Sequence, residues 1–196
     1  MIVRELVLGP KRFTDLRAGL PHASPNVLSE RLRELEAAGV LRRRTLPPPA
    51  ASRVYELTEW GAELEHVLDA LGRWGARAPN APEDCGMSPD AHLLSLRTLF
   101  DPELAGDFSA SLDIRLGDEC FRAVVAGGEL ELERGEAERP DAVVTTDHAT
   151  LLALAHRRAE LADALAAGDI EIAGDEGAVA GFVRLFTLPE PALLGA

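Results

Sequence analysis

Between Phe13 and Gly39 the apolar positions recur every three or four residues, the spacing of helices with one buried face. Phe13-Thr14-Asp15-Leu16-Arg17-Ala18-Gly19-Leu20 predicts a short helix closed by Gly19. Ser24-Pro25 opens a second one: the serine caps it, and proline fills the first helical position, where no N–H is needed. This helix is predicted to run to Ala38 and to stop at Gly39. At ~3.6 residues per turn, Leu28, Leu32 and Leu35 share a face, while Asn26, Glu30, Arg33 and Ala37 project from the opposite one. Two helices joined by a tight turn, the second with a polar outer face, match the helix-turn-helix pattern.

The period then shortens. Val40-Leu41-Arg42-Arg43-Arg44-Thr45-Leu46 and Arg53-Val54-Tyr55-Glu56-Leu57 read as two short strands around a tip stiffened by Pro47, Pro48 and Pro49. Prolines donate no ladder hydrogen bonds and suit an exposed turn, so the segment reads as a β-hairpin wing. Thr58 caps a long helix predicted from Glu59 to Arg77, with Leu64, Val67, Leu68, Leu71 and Trp74 along one stripe. That stripe either covers the lobe's own core or pairs with a second subunit, and pairing is the favoured expectation.

Beyond it, Ala78 to Pro89 has no periodicity, carries three prolines and a glycine, and reads as a linker. Ser88-Pro89 opens another helix through Phe100. Strand-like runs follow at 108–116, 120–126, 129–133 and 142–146. In Glu129-Leu130-Glu131-Leu132-Glu133 the alternation is strict, leucines inward and glutamates to water. Helices near 148–156 and 159–167, a strand at 169–173 and a helix at 176–187 complete an antiparallel sheet with helices packed on it. The fold class is therefore α+β, with a DNA-binding domain at 1–78, a linker at 79–88 and a second domain at 89–190.

Charge sharpens the division. Residues 1–78 hold 12 Lys/Arg and 10 Asp/Glu, a net +2, whereas residues 79–196 hold 8 and 23, a net −15, and together these give the −13 of the whole chain. Phosphates repel that lobe and are attracted by the basic clusters of the first. No apolar run spans a membrane, the start lacks a secretory layout, and two cysteines, Cys85 and Cys120, make no disulfide framework. A cytoplasmic location, no membrane partner and no cofactor are expected.

Gly9-Pro10-Lys11-Arg12-Phe13-Thr14-Asp15-Leu16, the pattern Ser24…Leu28-x-x-Arg31-Leu32-x-x-Leu35-x-x-x-Gly39-Val40, and Tyr55-Glu56-Leu57-Thr58-Glu59-Trp60-Gly61 closely resemble the HxlR-type winged helix regulators over about residues 1–77. The resemblance implies a homodimer on double-stranded DNA, with the helix at 25–38 in the major groove. In that family further residues supply most of the first helix, part of the dimer surface and often a redox-sensing cysteine. Here Met1 to Leu6 stands inside that helix, so a misplaced or truncated start is expected, and no cysteine occupies the sensing position. Asp141 to Asp147, Leu151 to Leu154, Gly168 to Asp175 and Phe182 to Phe186 resemble the sterol-carrier-protein-type lipid-binding fold over about residues 90–190. This implies a cavity for a small apolar ligand.

The DNA-contacting candidates are Ser24, Asn26, Val27, Ser29, Glu30 and Arg33 on the helix and Arg42, Arg43, Arg44 and Arg53 on the wing. Not all four wing arginines face DNA, because strand side chains alternate. Phe100, Phe121, Phe182 and Phe186 are the candidates for lining an apolar pocket, though phenylalanine more often simply fills a core. No catalytic motif is present, and His22, His66, His92, His148 and His156 show no metal-site spacing. The expectation is a non-enzymatic transcriptional regulator modulated by a small apolar ligand. The alternatives are a lipid carrier with a degenerate helix-turn-helix lobe, and a regulator whose second lobe only dimerises.

Overall fold

The computed structural model describes residues 1–48, 51–78 and 88–192. Pro49 at the wing tip, Cys85 and the expected linker, apart from Ser88, lie outside the described residues. The chain forms two compact units, residues 1–71 with 82–91, and residues 72–81 with 92–196.

In the first unit α1 (Ile2–Leu6) is followed by α2 (Phe13–Gly19) and α3 (Pro25–Ala37), then by the ribbon β1 (Leu41–Thr45) and β2 (Arg53–Leu57). The Ser24 Oγ accepts the Val27 N–H at 3.3 Å, so the sequence's cap is the real one. Gly39 ends the helix with φ +75, a left-handed conformation that costs glycine little. Leu6, Leu16, Leu20, Leu28, Leu32 and Leu41 form the core, with Tyr55 and Leu57 packed against it. β1 and β2 pair antiparallel, Leu41 opposite Leu57 and Thr45 opposite Arg53. On the other edge of β2, Tyr55 exchanges backbone hydrogen bonds with Lys11 at 3.0 and 2.8 Å.

The long helix expected from Glu59 to Arg77 is interrupted. It consists of α4 (Glu59–Ala62) and α5 (Leu64–Ala76), with a turn at Glu63. Thr58 caps α4 by accepting the Gly61 N–H at 3.0 Å and donates its own hydroxyl to the Gly39 carbonyl at 2.7 Å. At Gly61 the helix runs so close to the Val40 carbonyl that a Cβ would collide with it. That close approach gives the glycine of the Leu57-Thr58-Glu59-Trp60-Gly61 motif its physical reason.

A buried charged cluster ties α1 to residues near α6 (Pro89–Leu99). Lys11 Nζ donates to Glu5 Oε2 at 2.9 Å and to Asp90 Oδ2 at 2.7 Å, and Ser88 Oγ donates to Glu5 Oε1 at 2.7 Å. Glu5 and Asp90 are fully buried and Lys11 is 4% exposed. Sequence periodicity gave no hint of this cluster.

The second unit adds α7 (Pro102–Ala105), which the sequence reading missed, and then a five-stranded sheet. Its strands are β3 (Ala110–Leu116), β4 (Glu119–Ala126), β5 (Glu129–Arg134), β6 (Ala142–Thr146) and β7 (Ile170–Gly174), in the order β5-β4-β3-β6-β7. α8 (His148–Ala155) and α9 (Leu161–Ala167) connect β6 to β7, and α10 (Glu176–Phe182) follows. The α+β class and the expected arrangement of helices with a sheet are present. The expectation of a wholly antiparallel sheet is corrected at one pair. β3 and β6 run parallel, because the chain leaves the β3–β4–β5 meander and returns on the opposite side of β3. The last helix is shorter than expected. It ends at Phe182, and Phe186 instead forms an isolated backbone bridge with Phe100.

Candidate nucleic-acid interface

Capping at Ser24 and burial of Leu28 and Leu32 fix the rotation of α3, and that rotation decides what its outer face presents. Asn26, Val27, Glu30 and Arg33 are exposed, Ser29 is half-buried, and Ser24 is exposed at the N-terminus. Val27, at 49% exposure, is the one large apolar side chain of the helix left in water at this level. An amide, an apolar side chain and a guanidinium on one face match the groups that read base edges and thymine methyls.

The wing does not present four equivalent arginines. Arg42 Nε donates to Glu56 Oε1 at 2.7 Å and Arg44 Nε to Glu56 Oε2 at 2.8 Å. Arg43 points from the other face of the strand and grips Glu36 of α3 with Nε at 2.9 Å and Nη2 at 2.5 Å. Hydrogen bonds from Arg43 hold the Glu36 carboxyl below the usual carboxylate range, and Glu36 in turn raises Arg43. Arg53 is exposed, and no carboxylate pairs with it among the described residues. Glu36 and Glu56 were absent from the sequence candidates. The signal for Glu56 lies in the strand register, which depends on a tip length that the pattern left open.

In the second unit, Phe100, Phe182 and Phe186 meet edge-on, with centroids 6.4 Å apart for Phe100–Phe186 and 5.1 Å for Phe182–Phe186. Phe121 is fully buried beneath the Arg134 guanidinium, 4.9 Å from its ring centre, and Arg134 also pairs with Glu119. The His92 and His148 rings stand edge to face at 4.8 Å. Burial pushes His148 and His156 below the ordinary histidine value. Among the described residues no group of three or more His, Cys, Asp or Glu is placed to hold a metal, and no helix is long and apolar enough to cross a membrane.

Comparison with known proteins places both halves of the chain. Residues 1–82 match the HxlR-like helix-turn-helix model. The HTH-type transcriptional regulator YvaP of Bacillus subtilis (described as uncharacterized) is 40% identical over 74 residues, 38% of this chain and 68% of that protein. The chain belongs to the HxlR-like helix-turn-helix family. YodB of Bacillus subtilis, another HTH-type transcriptional regulator, is 36% identical over 74 residues, covering 38% of this chain and 66% of YodB. Residues 85–193, more than half of the chain, match the alkyl sulfatase C-terminal model, so the chain belongs to that family as well. The structure of the stereoselective inverting sec-alkylsulfatase Pisa1 from Pseudomonas sp. shares this fold, with TM-score 0.51 and 21% identity, over 55% of this chain and 17% of Pisa1. The chain thus spans about two thirds of these HxlR-like relatives and a small part of the sulfatase.

Proposed function

We propose that the protein is a sequence-specific DNA-binding transcriptional regulator, acts as a homodimer in the cytoplasm, and is modulated by a small apolar ligand in its second unit. The observation that carries the reading is the outer face of α3, where a capped, core-anchored helix holds Asn26, Val27 and Arg33 in water. Ser24, Ser29 and Glu30 flank these side chains and serve as backbone or secondary contacts, and Arg53 adds a cation on the wing.

Dimerisation is supported by the surface of α4 and α5. Trp60, Val67, Leu71 and Trp74 are all more than half exposed and stand seven, four and three residues apart, the spacing of a helix–helix seam. A second copy of the same stripe covers it most simply.

Kinship with the alkyl sulfatase C-terminal family supports a ligand carrying an alkyl chain, with Phe100, Phe121, Phe182 and Phe186 as the candidate lining side chains. No sequence motif or metal-ligand spacing points to catalysis, and the proposed role is binding without turnover.

Selection of genomic fragments bound by the full chain identifies the operator. Asn26→Ala is then expected to weaken operator binding by ~1–3 kcal/mol and to leave random DNA nearly unchanged. Equal loss on both DNAs would remove Asn26 from base reading. Alkyl sulfates of graded chain length, titrated into the operator complex, test the ligand.

A further inference from the structure

The wing's three consecutive arginines are sorted by their internal partners, and the sorting has a chemical logic. Strand alternation and the β1–β2 register put Arg42, Arg44 and Glu56 on one face, with Glu56 directly opposite Arg42. The Glu56 side chain is 12% exposed, beneath Arg42 and Arg44 at 66% and 47%. Both arginines reach it through Nε, each to a different carboxylate oxygen. Such a contact holds the guanidinium planes near one another and leaves the terminal Nη donors for an outside acceptor. The three side chains together carry one net positive charge. Arg43 differs: Nε and Nη2 are both spent on Glu36, a two-point grip that ties β1 to the end of α3.

We propose that Arg42 and Arg44, positioned by Glu56, form a single two-armed phosphate site on the wing, and that Arg43 is a brace and no DNA contact. This rests on the DNA-binding reading above. The carboxylate has two effects. It pre-orders both arginines around one acceptor, and it cancels one of their charges, so the pair engages one phosphate where two free arginines would seek two. Glu56 is thus a positioning residue that restrains non-specific binding, which is almost wholly electrostatic.

The test is binding of the full chain to selected operator and to random duplex by fluorescence anisotropy at several salt concentrations. Each phosphate contact contributes roughly one unit to the slope of log K against log salt. Arg42→Ala and Arg44→Ala are each expected to lower the slope by roughly one, and the double variant to lower it no further, because both arms serve one phosphate. Arg43→Ala is expected to leave the slope unchanged while lowering the melting temperature. Glu56→Gln, which removes the shared charge at nearly constant shape, is expected to raise the slope by up to roughly one and to tighten binding to random DNA more than to operator. Arg42→Lys keeps the charge without the planar fork and is expected to hold the slope while weakening binding. Additive slope losses for Arg42 and Arg44, or a slope loss for Arg43→Ala, or a Glu56→Gln protein indistinguishable from the parent, overturn the proposal. Absence of DNA binding by the unsubstituted protein at low salt is a separate result, which overturns the regulator reading itself.

Discussion

Replacing Lys11 by Met is the sharpest test of what holds the first unit together. The ammonium group lies 2.7 Å from Asp90 Oδ2 and 2.9 Å from Glu5 Oε2. Both carboxylates are fully buried. Methionine fills a similar volume and keeps the backbone N–H and C=O that bridge to Tyr55, so the substitution removes charge and three donors and little else. Breaking a buried ion pair from one side costs about 3–5 kcal/mol, because the surviving charge keeps its desolvation penalty without its partner. Here two carboxylates survive, although the Ser88 hydroxyl and Arg4 still contact Glu5. A unit of about 80 residues has a total stability of about 4–12 kcal/mol. The loss is therefore a large share of the whole, and the melting temperature of this unit is expected to fall by more than about 10 °C. Scanning calorimetry of the full chain reads it, with exposed Arg12→Met as the control. The triple variant Glu5→Leu, Lys11→Met, Asp90→Leu should recover most of the loss, since apolar groups of similar size do not need the cation. A shift for Lys11→Met no larger than that of Arg12→Met would refute the reasoning and show that the cluster is hydrated or protonated at little cost.

Three further outcomes follow from particular contacts. Gly61→Ala forces a Cβ into the Val40 carbonyl and is expected to cost about 1–3 kcal/mol by overpacking, read as a lower denaturation midpoint with an unchanged m-value. Leu71→Glu on the exposed stripe is expected to convert a dimer to monomer by light scattering without lowering helix content; an unchanged mass would place the interface elsewhere. The second unit should lose stability on acidification. His148 and His156 are held below the ordinary value by burial, so the unfolded chain takes up protons first and stability falls as pH drops through about 6.5. Asp147, lowered chiefly by the Thr150 N–H, adds a second loss of the same sign below pH ~4. Melting curves from pH 7.5 to 5.5 check the histidine part, which should disappear in the His148→Gln, His156→Gln double variant.

Local chemistry alone determined much of this protein. Ser24-Pro25, Gly39, Thr58 and the leucine spacing of α3 carry their structural meaning in a few neighbouring residues, because caps and helical periodicity are short-range effects. The same holds for the strict alternation of β5 and for the uneven charge of the two lobes. What remained hidden depends on pairs far apart in the chain. The parallel β3–β6 pair is a matter of which edge the chain returns to, and strand patterns do not encode it. The α4–α5 break leaves the apolar stripe intact, so periodicity passes over it. The pattern around Lys11 shows neither of its carboxylate partners, Glu5 and Asp90, the latter 79 residues away. Likewise Arg42, Arg43 and Arg44 are three identical letters whose roles diverge only when the register sets Glu56 on one face and α3 brings Glu36 to the other. The sequence specifies which charges are present; the tertiary structure decides which of them are already spent, because an ion pair is made by distance in space and distance along the chain gives no measure of it.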